Sequence, residues 1–274
     1  MQTVRALWGA SHPGPSVVVT TLSLALGLAV GLEPWRMVVL VVSVLLGQLS
    51  IGISNDAIDR ERDRAVGRTD KPLVRGAVSN RTAWLAAGGS FVIALALSAV
   101  LGWGMLIAHT VTIASGWAYN LGLKSTPVSV VPFLVSFGLF PSLATLSASD
   151  PSLAAPFAAV AGAALGAAVH LTNVLPDLDD DRETGVRGLP HMLGAAASVF
   201  VAVAGIVVAA IAVLAGGRGE GPLPWLFFGA VLVLAIAVVV RMRLRGPDRA
   251  GFRLVMAAAL VLAAQLVVAA GSLR

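Results

Sequence analysis

The chain has 274 residues, of which 57% are apolar and only 12% charged, with a formal net charge of +5 and a mean hydropathy of +0.89. This balance excludes an ordinary soluble domain, and the lack of cysteine excludes disulfides, thiolate nucleophiles and sulfur-ligated metals. The apolar runs approach the ~20 residues a helix needs to cross ~30 Å of hydrocarbon and lack period-2 alternation, so spanning helices are expected rather than a barrel.

Nine candidate spans follow in chain order: about 16–32, 36–54, 81–101, 103–119, 127–147, 153–172, 193–215, 223–240 and 252–270. The first is longer than a signal core, lacks a cleavage site and is read as retained; His12-Pro13-Gly14-Pro15 opens it. The second runs into Asn55-Asp56-Ala57-Ile58-Asp59-Arg60-Glu61-Arg62-Asp63. The fourth begins at Trp103, carries His109, and ends near Trp117 in a segment from Tyr119 to Lys124; both tryptophans are expected to anchor at the membrane interface. The sixth contains the small-residue run Gly162 to Ala168 and His170, and leads into Asn173-Val174-Leu175-Pro176-Asp177-Leu178-Asp179-Asp180-Asp181. Close helix packing is the favoured reading of the small-residue run, ahead of room for a bound chain.

With the N-terminus inside, sixteen of the nineteen Lys and Arg fall on the cytoplasmic side, leaving Arg36, Arg218 and Arg274 outside. The positive-inside rule supports this orientation in a cell membrane, and both acidic clusters then face the cytoplasm. Basic residues beside a bilayer set topology or meet anionic headgroups, and no nucleic-acid motif is present, so the expected partner is the lipid bilayer and not nucleic acid. The clusters lie four spans apart, which suggests two four-helix halves with a ninth helix appended, all in one integral-membrane domain over 1–274.

Ten of the fourteen acidic residues lie between Asp56 and Asp70 or between Asp177 and Glu183. Carboxylates crowded beside hydrocarbon repel one another unless a cation joins them. At 100° per residue, Asp56, Asp59 and Asp63 fall within roughly 60° on one helix face. Asn173, Asp177 and Asp181 recur every four residues, though Pro176 is expected to bend or end that helix. Hard oxygen ligands with room for substrate phosphates suit Mg²⁺. Five aspartates, two such ions and a diphosphate leave about four negative charges to be met. Arg60, Arg64, Arg68, Lys71, Arg75 and Lys124 are available, with Lys71 and Lys124 favoured because they sit in patterned segments.

These features resemble the UbiA superfamily of intramembrane prenyltransferases: an N-D-x-x-D-x-x-x-D motif after the second span, a D-x-x-x-D motif after the sixth, and a Tyr-to-Lys segment after the fourth. The resemblance implies an all-α membrane protein, nine helices around a central cavity where Mg²⁺ ions hold a prenyl diphosphate donor. It implies that Asp56, Asp59, Asp63, Asp177 and Asp181 are catalytic metal ligands. Asn55, Arg60, Lys71, Tyr119, Lys124 and Asn173 would contact substrate. The activity implied is transfer of a prenyl group to an aromatic or otherwise lipophilic acceptor, with a membrane terpene cyclase as the alternative. His12-Pro13 departs from the Arg-Pro of many members, which weighs against a carboxylate-bearing acceptor. A cation transporter ranks last, because the acids gather at one face. His109 and His170 are read first as structural anchors.

Overall fold

The computed structural model describes residues 2–268 and Leu273. Eleven α-helices are α1 (Gln2–Ala10), α2 (Pro13–Val30), α3 (Pro34–Ala65), α4 (Asn80–Leu101), α5 (Trp103–Leu121), α6 (Val131–Leu146), α7 (Pro156–Val174), α8 (Leu178–Glu183), α9 (Leu189–Gly216), α10 (Leu223–Arg245) and α11 (Arg249–Val268). Nine of these coincide with the nine expected spans, although residues 269 and 270 of the last lie outside the described residues. Seven helical stretches are long and apolar enough to cross a membrane. α6 is apolar but short, and α5 is diluted by His109, Tyr119 and Asn120. α1 was not expected; it packs on α2 and α3 through Ala6 and Ala10.

Helices adjacent in sequence pack side by side, α5 meets α6, and α11 packs on α2, so the bundle closes on itself. Proline opens α2, α3, α6, α7, α9 and α10 within their first two positions, where its missing N–H has no intrahelical acceptor to lose. α3 is 32 residues long, about 48 Å, so roughly its last third outruns the ~30 Å hydrocarbon layer. The first acidic motif rides on that extension. Pro176 ends α7 at Val174 and forces a 3-10 turn over Leu175–Asp177 before α8.

The small-residue run is a packing surface. A Cβ at Gly162 would run into the carbonyl oxygen of Phe137, and one at Gly166 into that of Phe133, so α7 and α6 meet backbone to backbone. Trp103 is 79% exposed at the start of α5, as an interfacial anchor should be. Trp117 corrects the expectation: its indole donates to Ser50 Oγ at 3.1 Å and packs on Trp84 and Phe91, joining α5 to α3 and α4.

Gly162→Ala is expected to destabilise the bundle by about 1–3 kcal/mol through overpacking. Gly89→Ala, where a Cβ meets nothing within 4 Å, should be neutral or stabilising by up to ~1 kcal/mol. Thermal unfolding in detergent measures both; equal behaviour would refute the packing assignment.

Candidate active site

The motif end of the bundle holds a polar chamber of about 650 Å³. Asn55, Asp56, Asp59 and Asp63 of α3 form one wall, and Asn173, Asp177 and Asp181, carried by α7, the 3-10 turn and α8, form another. Lys71, Tyr119 and Lys124 also line it. Ten of the eleven site residues expected from sequence therefore share one space.

Asp56 is 1% exposed, and Asp59 and Asp63 are 5% exposed each. Carboxylates so buried require compensation. The Lys71 ammonium donates to Asp56 Oδ1 and lies 3.8 Å from Asp63, and the Lys124 ammonium donates to Asp59 Oδ1. Burial pushes the Lys124 pKa down, with Asp59 opposing the shift. Asn55 donates to Asp59 Oδ2 at 3.2 Å and to Asn120 Oδ1 at 3.1 Å; Asn120 in turn donates to Ile51 O at 2.9 Å. This chain of amides fixes the α3 wall against α5.

The lysines are held by their loops. Leu73 is fully buried among Ala6, Ala10, Ile53, Ala57 and Ala83, which pins the loop carrying Lys71 between α1, α3 and α4. Ser129 Oγ bonds His170 Nε2 at 3.0 Å and accepts from Leu189 N at 2.9 Å, and Gly188 lies against the Lys124 carbonyl. The Lys124 loop is thereby tied to α7 and to the start of α9.

Arg62 joins the two walls. Its guanidinium donates to Asp59 Oδ2 at 2.9 Å and reaches Asp181 Oδ1 at 3.6 Å. Arg68 and Arg249 approach Asp177 Oδ1 at 3.7 and 3.8 Å. Arg68 also binds Asp70 through two hydrogen bonds of 2.9 and 3.0 Å, holding that carboxyl at about 2. Arg60 is the exception among the expected residues. It pairs with Glu61 at 3.2 Å and does not line the chamber. Arg60 and Arg62 flank the aspartate stripe on opposite sides, each roughly 70–90° from its centre, so a helical wheel does not choose between them. The second wall lies on the Arg62 side and decides the matter.

Three further residues enter from distant sequence. His12 approaches Asp56 Oδ1 with Nε2 at 3.1 Å, His191 Nε2 lies 3.5 Å from Asp181, and Arg249 comes from α11. His12 is the one non-glycine residue with positive φ, 54°, among the described residues, and its sharp turn from α1 into α2 carries the ring over α3. The departure noted at His12-Pro13 gave a signal for it; nothing in the sequence ties Arg249 to Asp177.

The donor set fits a hard divalent cation with an incomplete protein shell. Asp56 Oδ2 and Asp63 Oδ2 are buried without a hydrogen-bond partner. Among the described residues no three acidic or imidazole groups form a ready-made metal cage, so a cation here must complete its shell with water or substrate oxygens.

Below the chamber lies a second cavity of about 230 Å³ among α2, α3, α5, α6, α7 and α11. Phe133, Phe137 and Phe140 run along one side. Asn55, Tyr119 and Asn173 border both spaces, so the two are continuous. Tyr119 stands edge-on to Phe133 and His170 at 5.1 and 5.6 Å.

The sequence profile described as the UbiA prenyltransferase family matches residues 16–269. Digeranylgeranylglyceryl phosphate synthase of Natronomonas pharaonis is 29% identical over 243 residues, 86% of this chain and 84% of that protein. 4-Hydroxybenzoate octaprenyltransferase of Aromatoleum aromaticum is 30% identical over 230 residues, 80% and 76% of the two chains. A solved structure of a UbiA homolog from Archaeoglobus fulgidus bound to GPP and Mg²⁺ superposes with a TM-score of 0.75 at 17% identity, covering 96% of this chain and 99% of that one. It shares the fold.

Arg62→Ala should weaken binding of inorganic pyrophosphate, a polyanion probe, by ~10- to 100-fold, the loss of a hydrogen bond to a charged group. Arg60→Ala should leave it within ~2-fold, as expected for an exposed ion pair. Isothermal titration with Mg²⁺ present separates the two, and the reverse order would refute the assignment of Arg62.

Proposed function

The chain belongs to the UbiA prenyltransferase family, a group of multi-pass integral membrane enzymes, and from that premise we propose that it transfers a prenyl group from an allylic diphosphate to a lipophilic acceptor with Mg²⁺ as cofactor. The observation that carries this reading is the convergence of two aspartate walls and four cations, Arg62, Arg68, Lys71 and Lys124, above an apolar cavity. A diphosphate joined to a hydrocarbon has matching halves. Nine helices would cross the membrane as two four-helix halves and a ninth helix, in one domain, with the chamber on the cytoplasmic side where the basic residues collect.

Asp56, Asp59 and Asp63 on one wall and Asp177 and Asp181 on the other would hold Mg²⁺, with Asn55 and Asn173 beside them. When bound, the metal supplies positive charge at the diphosphate oxygens, which favours departure of the leaving group. Lys71, Lys124, Arg62 and Arg68 donate hydrogen bonds to those oxygens and stabilise charge developing on them. Tyr119, Phe133 and His170 close the rim beneath with ring faces and edges, limiting water around the allylic carbon as its bond to oxygen breaks. The acceptor then forms the new carbon bond and gives up a proton. The named relatives act on different acceptors, and the neutral polar groups at the rim suit an uncharged reacting group.

The aromatic lining of the inner cavity supports a second reading, in which the chain's own double bond captures the cation to give a cyclic terpene. Incubation with allylic diphosphates, with and without membrane lipid extract, followed by mass analysis, tests the two. Products that require the extract are expected; a hydrocarbon formed without it would favour cyclisation.

Asp56→Asn and Asp177→Asn should each lower diphosphate release by at least ~100-fold, the scale of losing one preorganised charge-stabilising group, with the folded protein retained. Chelation of divalent ions should abolish release, and added Mg²⁺ should restore it. Full turnover by both variants, or turnover in chelator, would overturn the reading.

A further inference from the structure

The inner cavity is narrow and ends at a definite level, which gives it the form of a gauge for the hydrocarbon half of the substrate. This rests on the reading above. On three separate helices its walls run the same distance below the rim: Asn55 to Val44 on α3, Asn120 to His109 on α5, and Pro132 to Leu143 on α6. Each stretch is eleven residues, about 16 Å of helix. At about 230 Å³ over that depth, the space takes one extended chain and not two abreast.

The floor is solid. One turn farther down, Leu40 on α3, Met105 on α5 and Ser147 on α6 are fully buried and leave the cavity wall, and Leu22 and Leu26 of α2 are buried at the same end. Leu22, Leu26, Leu40, Met105 and Leu143 belong to one packed core. His109 is the polar piece of this floor. Its Nδ1 bonds Ser98 Oγ of α4 at 2.7 Å, while its other edge lies against Gly47 of α3, where any side chain would collide with the ring. The imidazole is thus wedged between α3 and α4 and does not swing aside to lengthen the space.

An extended chain advances about 1.2 Å per backbone bond, from ~3.3–3.6 Å per three bonds in a polypeptide. An isoprene unit contributes four such bonds, so ~16 Å of depth takes about three units. We infer that the donor is an allylic diphosphate of about fifteen carbons, with its diphosphate in the polar chamber and its terminal methyls against Val44, Leu143 and His109. Shorter donors leave the floor uncovered, and longer ones have to bend back toward the rim.

Binding of non-ionisable thiolodiphosphates of 5, 10, 15, 20 and 30 carbons, with Mg²⁺ and purified protein in nanodiscs, tests the length without needing the acceptor. Affinity should climb to 15 carbons and fall by at least ~10-fold at 20, in line with the penalty for surplus methylenes in a fixed pocket. Val44→Phe should move the optimum to 10 carbons and Leu143→Ala should move it toward 20. Equal or tighter binding at 20 and 30 carbons, with an optimum indifferent to Val44→Phe, would overturn the gauge. Inorganic pyrophosphate serves as the control for the reading beneath it. If pyrophosphate competes with every analogue and length has no effect, only the gauge falls; if neither pyrophosphate nor any analogue binds, the diphosphate site falls with it.

Discussion

The structure turns on buried carboxylates that face each other across a gap spanned by a single guanidinium. Arg62 touches Asp59 and comes near Asp181, so the two motifs, more than a hundred residues apart, are held at the separation of one arginine head group. Burying acids this deeply at the edge of a bilayer is unfavourable unless cations are equally fixed. The cations are supplied on loops tied down by ordinary packing: Leu73 in a small apolar core for Lys71, and the Ser129 bonds for Lys124. Fold stability and site charge are therefore coupled. Loosening either loop leaves an acid of α3 uncompensated, a penalty larger than the loss of one contact.

The length of α3 makes this arrangement possible. A helix that only crossed the bilayer would end near Ile53 or Ser54, and the aspartates would then sit on an irregular loop. Continuing the helix to Ala65 keeps Asp56, Asp59 and Asp63 in register with the same rigid rod that lines the inner cavity below. The opposite wall is built differently. Pro176 breaks α7, and the 3-10 turn lowers the pitch so that Asp177 and Asp181 are displayed from two short pieces rather than one. One wall is stiff and the other is jointed.

Much of this was legible in the amino acids because it depends on local periodicity. The nine apolar runs, the Asp56–Asp59–Asp63 stripe and the Asn173–Asp177–Asp181 stripe all follow from spacing along a helix, and the structure brings both stripes to one chamber. What escaped depends on which side a neighbour packs. Arg60 and Arg62 are equivalent on a wheel until α8 is placed. Trp117 looks like an interfacial anchor until α4 brings Trp84 and Phe91 alongside. Arg249 reaches Asp177 only because the last helix closes the ring against α2 and α7. Contacts between elements far apart in sequence leave no local signature, and these are the ones that select among equally plausible side chains.

The division of charge between the two cavities sets where chemistry can occur. Among the described residues the inner cavity is lined by no Asp, Glu, Lys or Arg, whereas the chamber above it carries both signs in quantity. A diphosphate moved into the inner cavity would lose its water and gain no countercharge, a transfer opposed by many kcal/mol. A hydrocarbon chain moved into the chamber would leave apolar surface against ions and water. An amphiphile with these two halves can enter in one orientation only, with its junction at the rim bordered by Asn55, Tyr119 and Asn173. That junction is the carbon–oxygen bond to be broken. The boundary between low and high polarity thus places the leaving group where cations gather and the reacting carbon where aromatic rings and apolar helices keep water away.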